Sequence, residues 1–140
     1  EFLGDPRVLD MPAIARWPGK VKPGVTNSTS ATFDLFPTLL ELAGLEEQIE
    51  PLDLDGISLA ALMMDGRPLP VRTMFWRIRE HRAVRQGPWK LVAIGDDVSL
   101  YNLDEAMDES QDLAAANGRF VAELQELLAA WEADVDESAP

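Results

Sequence analysis

Between Thr73 and Leu103 short runs of β-branched and aromatic residues alternate with turn signals, and this pattern constrains the fold more than any other feature of the chain. Thr73–Ile78 and Arg82–Val84 read as one or two strands, Trp89–Ile94 as the next and Ser99–Leu103 as the last. Gln86-Gly87-Pro88 and Gly95-Asp96-Asp97 separate them. Turns this short join neighbouring strands directly, so the segment predicts an antiparallel meander. A small sheet with a bare apolar face is marginal in water, and the sequence supplies a cover. Asn117 caps a predicted helix on which Phe120, Leu124, Leu127, Leu128, Trp131 and Val135 share one side. Trp89, inside a strand, and Trp131, on that helical stripe, are both expected to face the core between sheet and helix.

The first half of the chain reads differently. Phe33 to Gly44 is a helix with Asp34 as N-cap, Pro37 in its first turn and Gly44 at its end. Its only charges are Asp34 and Glu41, and Leu35, Phe36, Leu39, Leu40 and Leu42 cover most of its circumference. Such a helix is expected to be buried on several sides. Asp55-Gly56 marks a turn, and Ser58 caps a short helix through Met63 that stops near Gly66. Residues 1 to 31 are irregular around one short apolar strand at Ala13-Ile14-Ala15, followed by a Trp17-Pro18-Gly19 turn. No internal repeat and no low-complexity tract is present.

The chain carries 25 acidic and 12 basic side chains, a formal net charge of −13, which opposes a phosphate backbone or an anionic bilayer. Nucleic acid and membrane are therefore excluded as expected partners. No run approaches a membrane span, and the N-terminus lacks the order of a signal peptide, so a chain in solution, cut from a longer precursor, is the expectation. With no cysteine there is neither a disulfide nor a thiolate metal site. The charge is uneven: residues 67 to 90 hold six Arg and one Lys against one Glu, and residues 96 to 140 hold thirteen acids against Arg119.

Few residues offer chemistry. The one histidine, His81, would have to serve as base for Ser28, Ser30, Ser58, Ser99 or Ser110, and none of these lies in a nucleophile elbow. No catalytic residue and no metal ligand is assigned. Asp53 with Asp55 and Asp96 with Asp97 invite a hard cation, but no calcium-loop spacing surrounds them and turn chemistry explains both pairs. Asn27-Ser28-Thr29 has the form of a glycosylation sequon. The basic stretch is the candidate surface. Alternation places Arg77 and Arg79 on one face with Phe75, opposite Trp76 and Ile78, and with His81, Arg82 and Arg85 nearby the guanidinium groups form an anion-attracting rim. The other reading of these arginines is pairing with the chain's own acids, above all those of the C-terminal segment.

Taken together, MPAIARWPGKVKPG, DLFPTLLELAG, LDGISLAALMMDG, MFWR, AVRQGPWKLV and SLYNLDEAMDESQDLAA resemble, in order and spacing, the C-terminal third of the sulfatase family, the arylsulfatases and related sulfate-ester hydrolases. The resemblance covers residues 11 to about 135. It implies an α+β chain: a strand and helix from the end of an alkaline-phosphatase-like α/β domain in residues 1–66, then a small antiparallel sheet packed with a C-terminal amphipathic helix in residues 67–140. It implies a full-length parent that hydrolyses sulfate esters with calcium and a formylglycine nucleophile, acts on a sulfated small molecule or glycan, and is periplasmic or secreted. The Cys-x-Pro-Ser-Arg signature and the calcium-binding acids are absent from this sequence. The family's Glu-Gly-Gly-x-Arg-x-Pro run should end at Pro12, yet Asp10 stands in place of its Arg, and Arg7 and Val8 in place of its glycines, so residues 1–10 are either divergent or not native. The fragment is therefore expected to hold no cofactor, to be inactive alone, to need the missing N-terminal catalytic part as partner, and to be prone to self-association. Arg77, Arg79, His81 and Arg82 are its expected substrate-rim residues. The rival readings are a phosphoester or phosphonate hydrolase of the same superfamily and a non-enzymatic module that binds anionic glycans or a partner chain.

Overall fold

The computed structural model describes residues 12–138, and the departures at Arg7, Val8 and Asp10 lie outside them. The chain divides into two compact units, Pro12–Pro70 and residues 71–138.

The second unit is the expected antiparallel meander with its helix. Strands β1 (Thr73–Ile78), β2 (His81–Gln86), β3 (Trp89–Ile94) and β4 (Asp97–Asn102) form one sheet in that order. Each connection has two residues, and Arg79, Gly87 and Gly95 open them with φ of 57°, 58° and 59°. Positive φ is what a two-residue hairpin demands. Glycine meets that demand without cost, whereas Arg79 meets it against its own preference, so no turn residue in the sequence announces the β1–β2 hairpin. The pairing register puts Phe75, Val84, Leu91 and Leu100 in one row across the sheet. Helix α3 (Gly118–Ser138) lies over that row. Val84, Leu91, Leu100, Leu124 and Leu128 are buried there, each contributing about 1.5–3 kcal/mol of transfer free energy. Trp131 stacks on Phe75 with centroids 5.1 Å apart, and Trp89 on Phe120 at 4.6 Å. Both tryptophans thus pack where the periodicities place them. Asn117 precedes α3, but its side-chain amide donates back to the Leu113 carbonyl at 3.0 Å.

The outer edge of β4 is closed by the chain that follows it. Leu113 N–H donates to the Leu100 carbonyl at 2.7 Å, and Leu100 N–H donates to Asp112 Oδ1 at 3.0 Å. Burial pushes the Asp112 carboxyl upward, yet the bonds from the Leu100 and Ala114 amides prevail and hold it below the usual carboxylate range.

The first unit, Pro12–Pro70, holds α1 (Leu35–Leu42) and α2 (Ala60–Asp65), joined through two 3₁₀ turns. The expected strand at Ala13–Arg16 is not formed: these residues carry no ladder, and Ile14 is 95% exposed. An isolated apolar run is not a strand until another strand satisfies its amides. Asp34 does stand before α1, but it does not cap the helix with its side chain. Its carboxylate is fully buried and accepts from Ala31 N–H at 2.7 Å and from Ile57 N–H at 3.0 Å. One turn later the Thr38 hydroxyl donates to the Asp34 carbonyl and accepts from Leu59 N–H at 2.8 Å. Two buried polar side chains therefore fasten the loop at residues 56–59 to α1. Gly56 completes the fastening, because a Cβ there would run into the Phe33 carbonyl. Ser58 Oγ accepts from Ala60 N–H at 3.1 Å, and Gly66 ends α2 with φ of 71°. The apolar coat of α1 is not buried on several sides: Leu35, Phe36 and Leu39 are 55%, 51% and 64% exposed.

Candidate functional site

The four expected rim residues do not form one group. Arg77 and Arg82 face each other across β1 and β2, on the side that α3 covers. Two like charges directly opposite each other repel, and the acids of α3 answer them. Asp136 Oδ1 accepts from Arg77 at 2.6 Å, and Glu132 sets one carboxylate oxygen 3.8 Å from Arg77 and the other 3.7 Å from Arg82. Arg77 also lies 5.8 Å over the Trp131 ring, and Arg82 donates to the Gly95 carbonyl at 2.6 Å. The Arg77–Asp136 bond raises the pKa of Arg77 and holds the Asp136 carboxyl below its usual range. The arginine pair is thus engaged by the chain's own C-terminal acids.

His81 lies on the opposite sheet face, between Ile78 and Ile94 in the pairing register. Its Nε2 is 4.0 Å from the Glu80 carboxylate, and its Nδ1 is buried without a hydrogen-bond partner among the described residues. Arg79 stands exposed in the turn, so it shares no strand face with Arg77. Arg85, also away from α3, donates from Nε to the Gly87 carbonyl at 3.1 Å.

Sequence reasoning missed an ion pair. Lys90, in the middle of apolar β3, bonds to Glu109, and both side chains are 4% exposed. Glu109 reaches inward from a left-handed backbone position, φ 54°, in the loop after β4. Its second oxygen, Oε2, is buried with no hydrogen-bond partner among the described residues. Two ions out of water cost more to separate than they gain by meeting, so this pair ties the loop to the sheet. The signal was a lysine set among buried apolar positions.

Among the described residues no serine hydrogen-bonds to His81. No described helix is long and apolar enough to cross a membrane.

No family model matches the chain. Bovine (Bos taurus) arylsulfatase A is 34% identical to it over 123 residues, which are 82% of this chain and 24% of that protein. The chain is a sulfatase homologue. N-acetylgalactosamine-6-sulfatase of Mus musculus is 35% identical over 80 residues, 56% of this chain and 15% of that one. Among solved structures, a Bacteroides thetaiotaomicron protein of glycosaminoglycan metabolism superposes with a TM-score of 0.68 at 23% identity, over 84% of this chain and 28% of that one, and shows a shared fold. This sulfatase homologue spans about a quarter of the length of arylsulfatase A, which it matches.

Calcium and formylglycine, implied by the sulfatase resemblance, find no fit in the residues at hand. Among the described residues no group of three or more His, Asp or Glu is placed to hold a metal ion. Asp96 lies in the β3–β4 turn and Asp97 opens β4, while Asp53 ends a 3₁₀ turn in the left-handed region. The sequence has no cysteine, and none of its serines is followed by an x-Pro-Ser-Arg run, so no residue stands in the position from which a formylglycine is made.

Proposed function

We propose that this chain is the C-terminal portion of a sulfatase whose full length hydrolyses sulfate esters. Residues 1–66 finish the α/β catalytic domain, and residues 67–140 form the small C-terminal domain. The observation that carries this reading is the coverage: 82% of the chain matches only 24% of bovine arylsulfatase A. The exposed Leu35, Phe36 and Leu39 of α1 support it, since a helix so apolar gains from a cover that the rest of the parent supplies.

The formylglycine and calcium belong to that remainder, which is the partner of this chain, and a sulfated small molecule or glycan is the substrate of the whole. The parent works in the periplasm or outside the cell. In it Arg79 and His81, the two expected rim residues not held by the acids of α3, line the substrate rim. The chain alone has no turnover. The test is an aryl sulfate assay with calcium on the purified chain and on the chain co-expressed with the upstream part of its reading frame. Turnover only in the second sample is expected. Turnover by the chain alone, or none in either, would overturn the reading.

A further inference from the structure

A second feature, independent of the sulfatase reading, lies within the Pro12–Pro70 unit. A cavity of about 750 Å³ opens between the segment after Ala15 and the second half of α2. That is the volume of an ordinary small-molecule site, commonly some 300–1,000 Å³. Its apolar lining includes Met63 and Met64, both half-buried, Leu62 and Val21, and Trp17, a large ring left 41% exposed. The backbone at Trp17 is held in a turn: its carbonyl accepts from Lys20 N–H at 3.1 Å and from Val21 N–H at 2.9 Å.

The charges lining the cavity are unbalanced in a direction opposite to the chain as a whole. Arg16 and Lys22 line it, and neither forms a hydrogen bond or ion pair among the described residues. Asp65 is the one acid in the lining, and Arg67 already holds it, with Nη2 at 2.8 Å and Nε at 3.2 Å. In a chain with 25 acids, two unengaged cations beside one neutralised carboxylate make a local site for negative charge.

We propose that this cavity binds a small organic anion with a flat apolar body. The ring system lies against Trp17 and the two methionine thioethers, which adapt to aromatic surfaces. Arg16 and Lys22 take the anionic group, Arg16 by paired N–H donors and Lys22 as a point charge. Neither an inorganic anion nor a neutral aromatic satisfies both halves of the site.

The test uses the full 140-residue chain, ¹⁵N-labelled and titrated with naphthalene-2-sulfonate. Saturable shifts are expected at the Trp17 indole and at Gly24 and Gly66, with Trp89 and Trp131 unmoved. The neutral analogue 2-naphthalenemethanol, and the double variant Arg16→Gln/Lys22→Gln, should each bind weaker by about tenfold, the scale of a lost charge-assisted contact. Arg119→Gln, which removes one positive charge far from the cavity in sequence, should bind as the parent sequence does. Arg67→Gln releases Asp65 into the cavity and should weaken binding. Equal binding of the neutral analogue, an unchanged double variant, shifts centred on Leu35, Phe36 and Leu39, or no saturation would each overturn the proposal.

Discussion

The two units of this chain handle apolar residues in opposite ways. In residues 71–138 the apolar side chains meet each other: Val84, Leu91 and Leu100 from the sheet and Leu124 and Leu128 from α3 are all buried in one cluster. In Pro12–Pro70 the buried side chains are Asp34, Pro37, Thr38 and Ala60, while Leu35, Phe36 and Leu39 stand in water. One unit is held by hydrophobic burial, the other by polar fastening of a loop to a helix. A helix coated with leucine and phenylalanine, yet secured through an aspartate and a threonine, keeps an apolar face that its own unit does not cover. That difference is what the proposed reading, a portion of a longer sulfatase, leads one to expect.

The comparison can be broken from either side. Trp131→Ala removes the stack on Phe75 and the ring under Arg77, and is expected to cost the second unit about 3–5 kcal/mol. Thermal melting followed by near-ultraviolet circular dichroism reads this; an unchanged Tm would mean that α3 is not docked on the sheet. In the first unit the corresponding damage is polar. Asp34→Ala strips the Ala31 and Ile57 amides of their acceptor and should cost about 1–3 kcal/mol, the penalty for buried groups left unpaired. Amide exchange at Ile57 and Leu59 should accelerate while that at Leu91 stays as before; equal acceleration in both units would show that they unfold as one.

Acid should act on the second unit through two carboxylates. Asp136, held low by its bond to Arg77, and Asp112, held low by backbone amides, both have folded pKa values below the unfolded carboxylate value of about 3.9. Their contribution is therefore fully present above about pH 4 and is lost as the pH falls through the folded values. Stability measured against pH should fall less steeply below about pH 4 in Arg77→Gln, because Asp136 then titrates alike in both states. A slope identical to that of the parent sequence would mean that the pair does not hold in solution. The smallest effect belongs to Leu39→Gln. At 64% exposure this leucine has little to lose, and Tm should move by no more than a surface substitution allows, about 0.5 kcal/mol in stability. A loss near that of Trp131→Ala would show that the α1 face is already covered in solution.

What the sequence reveals follows the same division. The meander was legible because alternation, Gly87 and Gly95 are local signals, and so was the docking stripe from Leu124 to Trp131. The β1–β2 turn was hidden because Arg79 takes a left-handed conformation without the residue type that favours it. The sharing of Glu132 between Arg77 and Arg82 depends on a helix turn some fifty residues away in sequence coming to rest over one pair of strands. Periodicity placed Arg77 on the face of Phe75 but set Arg79 beside it, where the structure has Arg82, and it left open what met them. The strand expected at Ala13-Ile14-Ala15 was read from its apolar run, yet a strand is a pairing and the described residues offer it no partner. Asp34 was legible as a helix-start residue, but its acceptor role toward Ile57, 23 positions on, is a tertiary bond. Lys90 with Glu109 is another such case, since a lone lysine in a strand does not name its counter-ion.

Hydrogen exchange on the chain alone, read segment by segment with the mass in solution measured alongside, tests the central contrast most directly. The account predicts strong protection across residues 89–131 and weak protection across residues 12–44 in a monomer, or protection of 12–44 that appears only with a second copy and fades on dilution. A monomer that protects residues 12–44 as strongly as residues 89–131 would contradict it, because the first unit would then have a hydrophobic core of its own.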